Sequence, residues 1–289
     1  MFHTVTLRDG RTLEYADLGD PTGNPVLFFH GTPSTAGQAA VVADGARAHG
    51  IRLVAASRPG YGASTNSPPG LTPAAADALE LADRLGVDRT VVMGVSGGGP
   101  YALALAALAP ERVSEVLVLA GPGAHVEVTP EILDEDDHRA LTLLADGDPA
   151  AALETMTPSA EGFLSGLRGL SPADFRTALE SFRPPGPTWF DDHPQLRSLF
   201  EADFQRAITT VDGFVRDNLS WLGPWDFDLA AVTVPVHLVH GEQDAMVPRA
   251  HGDWLHARLP ESRQRLVPGD HGRATFGSAI ETFAAMGSS

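Results

Sequence analysis

The chain has 289 residues, enough for one large α/β domain or for one domain with an insertion. Its 20 basic residues are all arginine and stand against 37 acidic residues, and the net charge of −17 argues against nucleic acid or an anionic membrane as partner. Cysteine is absent, which excludes disulfides, thiolate metal sites and cysteine nucleophiles. No apolar run approaches the about 20 residues of a membrane span. The N-terminus lacks a signal-peptide pattern, so we expect a cytoplasmic protein.

A β-hairpin is predicted at the start of the chain, where two short runs at residues 5–7 and 12–15 flank a turn that contains Asp-Gly. Six further strands are predicted at 25–29, 51–56, 90–95, 113–119, 234–240 and 263–267. Segments of helical composition separate them, among them 34–49, 73–85, 97–109 and 273–286. Apolar strands that alternate with helices are typical of a parallel sheet covered on both faces. The fold class predicted is therefore α/β, with a doubly wound, mostly parallel sheet of eight strands.

This alternation breaks between about residues 125 and 225. The chain loses its apolar strand runs there, becomes acidic and contains a Pro-rich stretch at 184–187. Helical stretches are predicted near 139–155 and 195–220. We therefore predict one core formed by residues 1–124 and 226–289, interrupted by a helical insertion at 125–225.

A Gly-x-Ser-x-Gly motif, Gly94-Val95-Ser96-Gly97-Gly98, lies between a predicted strand and a predicted helix. A sharp turn at this place needs small neighbours, because the serine takes a strained backbone and its hydroxyl points at the positive end of the helix. The alternatives are a phosphate-binding glycine loop or a plain turn. A P-loop needs a lysine, and a dinucleotide fingerprint would follow the first strand. Ser96 is the predicted nucleophile.

A serine hydroxyl needs a base that takes its proton. Among the 11 histidines, His271 follows the last predicted strand, where a loop at the carboxyl end of the sheet can reach the serine. His251 and His256 lie in a predicted helix, and His240 closes a strand, so packing or surface roles are expected for them. His271 is the predicted base.

The base needs a carboxylate that fixes its tautomer and stabilises the imidazolium. Asp244 follows the penultimate strand and is the predicted acid. Glu242 in the same loop is the rival. Asp270 is adjacent to the histidine in sequence and would have difficulty folding back onto it.

An oxyanion needs two donors in a site with little water. Gly97 supplies one backbone amide, as the residue after the nucleophile. The second is predicted from the Thr32 amide, after the third strand, with the threonine hydroxyl as a further candidate. Pro33 and a capping Ser34 also fit a turn that leads into a helix, and both interpretations can hold together.

These motifs and the strand order together resemble the α/β-hydrolase fold family nearly end to end. The residues that carry the resemblance are His30-Gly31-Thr32-Pro33, Arg58-Pro59-Gly60-Tyr61-Gly62, the Ser96 elbow, Gly241-Glu242-Gln243-Asp244 and His271. The resemblance implies that residues 125–225 form a helical cap over the active site. It also implies that residues 58–62 form a structural turn that shapes the pocket floor.

Two features of the motif restrict the branch of this family. Serine at the elbow disfavours haloalkane dehalogenases and epoxide hydrolases, which attack through aspartate. Gly97 replaces the bulkier residue, often Met, of many C–C hydrolases and cofactor-free haloperoxidase-like enzymes, and so disfavours these as well.

The function predicted is hydrolysis of a carboxylic ester in two steps, through an acyl-enzyme on Ser96, without a metal or cofactor. Lactone, amide and C–C bond hydrolysis remain open, because the same triad serves them all. A ligand-binding protein that kept the fold and lost turnover is the alternative from another class. The expected partner is a small-molecule substrate, and the sequence does not specify an oligomeric state.

Aromatic residues are frequent in the insertion and at its boundary, namely Phe163, Phe175, Phe182, Trp189, Phe190, Phe200, Phe204, Phe214, Trp221 and Trp225. Most are expected to pack the insertion onto the sheet. A cap over a triad also forms a pocket wall, which is mostly apolar. We therefore predict a small or medium, uncharged, largely apolar substrate, with Trp189 and Phe190 as lining residues.

Overall fold

The computed structural model describes residues 1–181 and 186–287. Residues 182–185 and 288–289 lie outside the described residues, and with them Phe182 and the first two prolines of the predicted Pro-rich stretch.

Eight strands form one sheet in the order β1-β2-β4-β3-β5-β6-β7-β8. They are β1 (Phe2–Thr6), β2 (Thr12–Gly19), β3 (Asn24–Phe29), β4 (Ile51–Ala56), β5 (Thr90–Val95), β6 (Val113–Leu119), β7 (Val236–Gly241) and β8 (Ser262–Val267). The hairpin strand β1 pairs antiparallel with β2, β2 pairs antiparallel with β4, and all other pairings are parallel. The predicted eight-stranded, mostly parallel sheet is confirmed.

The seventh strand begins two residues later than predicted. Pro235 has no amide hydrogen for the ladder, so regular pairing starts at Val236, although the Pro235 carbonyl still accepts a hydrogen bond from the Val116 amide at 2.9 Å.

Helices cover both faces of the sheet. They are α1 (Ala43–Ala48), α2 (Leu71–Arg84), α3 (Gly99–Leu108), α10 (Arg249–His256) and α11 (Ser278–Met286). Alternate residues of a strand point to opposite faces, so Leu27 belongs to the core under α2, α3 and α10, whereas Phe28 belongs to the core under α1 and α11. The single helix predicted at 34–49 is a 3₁₀ turn at Ala36–Val41 followed by α1.

Between β6 and β7 lie the helices of the insertion. They are α4 (His125–Val128), α5 (Glu135–Ala145), α6 (Pro149–Ser165), α7 (Pro172–Ser181), α8 (Pro194–Ala207) and α9 (Asp212–Trp221). The stretch predicted at 139–155 is split, because Gly147 has a φ of +84° and the Asp148 side chain caps α6 through the Ala151 amide. The extent of the insertion as a separate unit remains a prediction. None of the described helices is long and apolar enough to cross a bilayer.

Two carboxylates of the insertion meet the core near the end of β3. Asp203 of α8 accepts hydrogen bonds from the hydroxyls of Ser34 and Thr35, and from the Thr35 amide at 3.0 Å. The following 3₁₀ turn begins at Ala36, so its cap is Thr35, whose hydroxyl accepts the Gly37 amide at 3.0 Å, and not the predicted Ser34. Burial raises the pKa of Asp203, although these hydrogen bonds oppose the shift. The other carboxylate, Asp217 of α9, belongs to the candidate site.

Candidate active site

Ser96 lies at the junction of β5 and α3 with a φ of +50°, in the left-handed region that costs energy for any residue except glycine. A Cβ atom at Gly94 would lie 2.4 Å from the Gly98 carbonyl oxygen, and one at Gly98 would lie 2.2 Å from the Phe29 carbonyl oxygen. Glycine is therefore required on both sides of the serine by direct backbone contact. The Gly-x-Ser-x-Gly spacing is a steric condition of this turn.

Asp244 and His271 form a hydrogen-bonded pair on the loops that follow β7 and β8. The Nδ1 atom of His271 lies 2.7 Å from Asp244 Oδ2, while Asp244 Oδ1 accepts the amides of Met246 and Val247 at 2.9 and 3.0 Å. The Asp244 side chain is fully buried. Burial by itself opposes its ionisation, but His271 and the two amides outweigh burial and lower the Asp244 pKa.

The two rival carboxylates have other positions. Glu242 is exposed on the same loop. Asp270 accepts a hydrogen bond from the Arg273 amide at 3.0 Å and faces the Trp189 amide at 3.3 Å. Asp244 is therefore the carboxylate at the His271 ring.

The described residues contain no direct hydrogen bond between the Ser96 hydroxyl and His271. The two residues lie on loops at the same edge of the sheet, after β5 and after β8. Catalytic hydrogen bonds in unliganded enzymes are often long and tighten only when substrate binds, so this geometry remains compatible with proton transfer between them.

The 30–33 loop, which follows β3, lies beside the serine. A Cβ atom at Gly31 would stand 3.4 Å from Ser96 Cβ. A Cβ atom at Gly97 would stand 2.5 Å from Thr32 Oγ1 and 3.4 Å from the Thr32 nitrogen. Thr32 and Gly97, the two predicted amide donors, are therefore in contact with each other next to Ser96.

The Thr32 hydroxyl donates to Asp217 Oδ2 at 2.6 Å and accepts from Arg58 Nη2 at 3.1 Å. The hydroxyl hydrogen is therefore already donated to Asp217, a residue of the insertion. The amide is the group of Thr32 that remains for an oxyanion.

Asp217 is a functional candidate that the sequence analysis missed. Five donor atoms surround its carboxylate, namely Arg58 Nε (2.8 Å) and Nη2 (2.6 Å), Thr32 Oγ1 (2.6 Å), Tyr61 OH (2.9 Å) and Tyr101 OH (2.7 Å). The Arg58 and Asp217 side chains are each only 3% exposed. Burial opposes ionisation of Asp217, yet Arg58 outweighs it and lowers the Asp217 pKa. Arg58 and Asp217 therefore form a buried ion pair, with five donor atoms around the carboxylate.

Arg58 also holds the backbone of the 30–33 loop. Its guanidinium donates to the carbonyl oxygens of His30 and, at 2.9 Å, Gly31. The Arg58 amide donates to His30 Nε2 at 3.1 Å, so His30 carries its hydrogen on Nδ1 and donates it to the Gly31 carbonyl at 2.8 Å. Burial and the nearby Arg58 charge lower the His30 pKa well below its usual value. His30 is therefore a neutral structural residue, and the structural role implied for Arg58 fits these contacts.

Trp189 and Phe190 form a 3₁₀ turn that packs on the segment after His271. The Phe190 and Phe276 ring centroids are 5.6 Å apart, and Trp189 Cβ would lie 3.5 Å from a Cβ atom at Gly272. Their described contacts support the His271 loop. Their assignment as pocket-lining residues remains a prediction.

A second group of histidines is buried outside the triad. His125 and His251 have ring centroids 4.7 Å apart, and burial lowers the pKa of each to about 4. His240 is buried as well, and burial lowers its pKa. Within residues 1–181 and 186–287, no group of His, Asp and Glu side chains is arranged to hold a metal ion. These histidines are neutral packing residues, as expected for His240.

Two recesses lie away from the triad. One lies between α2 and the sheet, and the other is lined by Arg58, Tyr101 and Asp217. Neither is lined by Ser96 or His271. The chemistry of the side chains, and not the shape of these recesses, therefore identifies the site.

Comparison with known proteins gives the family. The model of the family described as alpha/beta hydrolase fold matches residues 24–276. A non-heme chloroperoxidase from Streptomyces lividans is 26% identical over 262 residues, which cover 86% of this chain and 84% of that protein. A pimeloyl-[acyl-carrier protein] methyl ester esterase from Nitrosomonas europaea is 28% identical over 240 residues, which cover 81% and 82%.

The fold agrees with this match. The solved structure of an esterase from Exiguobacterium antarcticum aligns with a TM-score of 0.68 at 19% identity and covers 100% of both chains. Because the family model spans most of the chain, this protein belongs to the α/β-hydrolase fold family and is a hydrolase enzyme of that fold.

Proposed function

We propose that this hydrolase cleaves a small or medium, uncharged, largely apolar carboxylic ester, with Ser96 as nucleophile, His271 as base and Asp244 as the acid that orients it. The hydrogen bond of 2.7 Å between His271 and the fully buried Asp244 carries the proposal, because it fixes the tautomer a general base requires. With Nδ1–H facing the carboxylate, the His271 Nε2 lone pair is free to take a proton.

In the first step, Ser96 Oγ attacks the ester carbonyl carbon while His271 Nε2 takes its proton. The carbonyl oxygen becomes an oxyanion, which the amides of Gly97 and Thr32 stabilise. The tetrahedral intermediate expels the alkoxide, and His271 returns the proton to form the alcohol. The products of this step are the alcohol and an acyl group bound to Ser96.

In the second step, water replaces the alcohol. His271 takes a proton from the water as its oxygen attacks the acyl carbon, and the same amides stabilise the second oxyanion. Collapse of this intermediate returns the proton to Ser96 Oγ and releases the carboxylic acid. Asp244 stays ionised through both steps, which its lowered pKa supports, and balances the positive charge on the imidazolium.

The substrate class follows from charge and composition. A net charge of −17 repels anionic substrates and favours neutral ones. The aromatic residues of the insertion suit an apolar pocket wall, and we assign the insertion to a cap over the triad. The relative from Nitrosomonas europaea that is named a methyl ester esterase supports an ester over an amide. Lactones are the second candidate, because the same acyl-transfer steps open a ring ester.

A panel of neutral acyl esters of rising chain length, lactones and peptide amides tests this function, with Ser96→Ala as the matched control. The expected result is turnover of short and medium neutral esters that the control lacks. Turnover confined to amides, or no Ser96-dependent turnover of any substrate, would contradict the proposal. An absence of Ser96-dependent turnover would favour a ligand-binding protein that has lost catalysis.

A further inference from the structure

The site contains one carboxylate that acid–base chemistry does not use. Asp217 belongs to α9 of the insertion, but its partners come from three segments of the core: the loop after β3, the turn at 58–61 and α3. Its contact with the Thr32 hydroxyl is one residue from the Gly31 position that faces Ser96.

Thr32 is held on two sides. Its side chain is fixed through Asp217, and the two preceding carbonyl groups are fixed through Arg58. The Gly31 carbonyl and the Thr32 hydroxyl, on either side of the Thr32 amide, are therefore both anchored. A preorganised donor of this kind stabilises an oxyanion without reorganisation during the reaction.

The anchored hydroxyl also explains the glycine after the nucleophile. A Cβ atom at position 97 would stand 2.5 Å from Thr32 Oγ1, closer than side-chain carbons approach other atoms. The hydroxyl cannot move away without leaving Asp217 and Arg58. Thr32 and Gly97 are therefore a matched pair, and the small residue at 97 follows from the position of the threonine.

The charges of the cluster fit a role behind an oxyanion. A lone carboxylate so close to Thr32 would repel the developing negative charge. Arg58 offsets the Asp217 charge through two hydrogen bonds, and His30 behind the loop is neutral. The cluster can thus hold the loop without placing a net negative charge against the reacting centre.

We propose that Asp217 is a positioning residue: through the Thr32 hydroxyl it orients the Thr32 amide toward the oxyanion, so that the oxyanion site is complete only when α9 is docked on the core. This rests on the proposed serine-hydrolase function. Asp217 itself touches neither substrate nor the reacting atoms.

The test uses Thr32→Val, which keeps the shape and the amide of residue 32 and removes the two hydrogen bonds of its hydroxyl, to Asp217 and from Arg58. Thr32→Ser keeps the hydroxyl and is the rescue variant. Tyr101→Phe is the matched control, because it also removes one hydroxyl donor from the same carboxylate but does not touch the 30–33 loop. Each protein is assayed for kcat and KM on a neutral ester and for affinity toward an alkyl boronic acid, whose tetrahedral serine adduct places an oxygen in the oxyanion site.

The expected result for Thr32→Val is a fall in kcat of roughly 10- to 100-fold, below the about 10²- to 10³-fold cost of deleting an oxyanion donor. KM should stay within about twofold, and boronic acid affinity should fall in parallel with kcat. Thr32→Ser and Tyr101→Phe should stay within about threefold of the parent protein in both measurements.

Equal losses in Thr32→Val and Tyr101→Phe, or no loss in Thr32→Val, would overturn the proposal. Should Thr32→Val fail to fold, Thr32→Ala, which also lacks the hydroxyl, takes its place under the same criteria. A parent protein that neither hydrolyses esters nor binds the boronic acid would instead remove the proposed function, so the two failures are distinguishable.

Discussion

The two halves of the candidate site are built differently. The acid–base pair, Asp244 and His271, comes from two core loops, and the paired residues are 27 positions apart. The oxyanion half depends on Thr32 and Asp217, which are 185 positions apart and join the core to the insertion. The acid–base half is therefore held by core loops alone, whereas the oxyanion half also depends on a residue of the inserted helices.

The strongest test of what the two halves share is Ser96→Ala. Both halves act on this hydroxyl, so its loss should reduce kcat by about 10⁴-fold or more. The change removes no core volume, and thermal unfolding should be unaltered within about 2 °C. Retained turnover of every hydrolysed substrate would show that neither half serves Ser96.

The acid–base half alone is tested by Asp244→Asn. The amide keeps the size of the side chain but favours the wrong histidine tautomer, and the analogous change in a triad lowers kcat by about 10⁴-fold. The loss should shrink as pH rises, because hydroxide can replace the missing base. A kcat within tenfold of the parent protein at neutral pH would remove Asp244 from the triad.

The contribution of the oxyanion half to the stability of the fold is tested by Asp217→Asn. This change leaves Arg58 buried without a counter-charge, and breaking a buried pair in this way costs about 3–5 kcal/mol. Urea unfolding measures the loss. Asp212→Asn is the control, since Asp212 lies on the same helix with 45% of its side chain exposed, and its loss should stay below about 0.5 kcal/mol. Equal losses in the two variants would mean that the buried Arg58–Asp217 pair stabilises the fold no more than the exposed Asp212 does.

The contact between the two amide donors of the oxyanion half, Thr32 and Gly97, is tested by Gly97→Ala. The new methyl group must displace the Thr32 hydroxyl, so we expect roughly a 10-fold or larger fall in kcat. Adding Thr32→Ala removes the contact with the hydroxyl at 2.5 Å and leaves one with Thr32 Cβ at 3.0 Å, so the double variant should lose less than the two single losses combined. Additive losses in this double-mutant cycle would show that the two positions are independent.

The smallest expected effect concerns acid stability. His125 and His251 have pKa values of about 4 in the folded protein against about 6.5 when unfolded, so the unfolded state binds more protons between these values. Stability should therefore fall as pH drops from about 6.5 to about 4. His125→Phe should flatten this dependence in urea unfolding at pH 7 and pH 5, whereas the exposed His256→Phe should not. An unchanged slope in His125→Phe would show that His125 does not contribute to it.

The acid–base half could be predicted from the sequence because its signals are local. Ser96, Asp244 and His271 each follow a recognisable strand, and parallel strands bring their carboxyl ends to one edge of the sheet. Asp217 has no comparable signal. It lies between the buried Val215 and Leu219 on α9. The sequence of that helix does not indicate which residues of the core Asp217 contacts.

The helices of the insertion show the same limit. The stretch predicted at 195–220 is two helices, α8 and α9, and α7 was not predicted. Apolar periodicity marks a helix but not the place where packing interrupts it. For the same reason Trp189 and Phe190 were recognised as aromatic residues of the insertion, while their contact with the His271 loop required the structure.

The most direct measurement is peptide mapping after reaction with a fluorophosphonate. This reagent phosphonylates an activated serine, and activation requires both halves of the site. We predict one adduct per chain, on the peptide that contains Ser96, with no adduct in Ser96→Ala and slow labelling in both Asp244→Asn and Thr32→Val. An unlabelled parent protein, or an adduct on another serine, would contradict the assignment of Ser96 as the nucleophile.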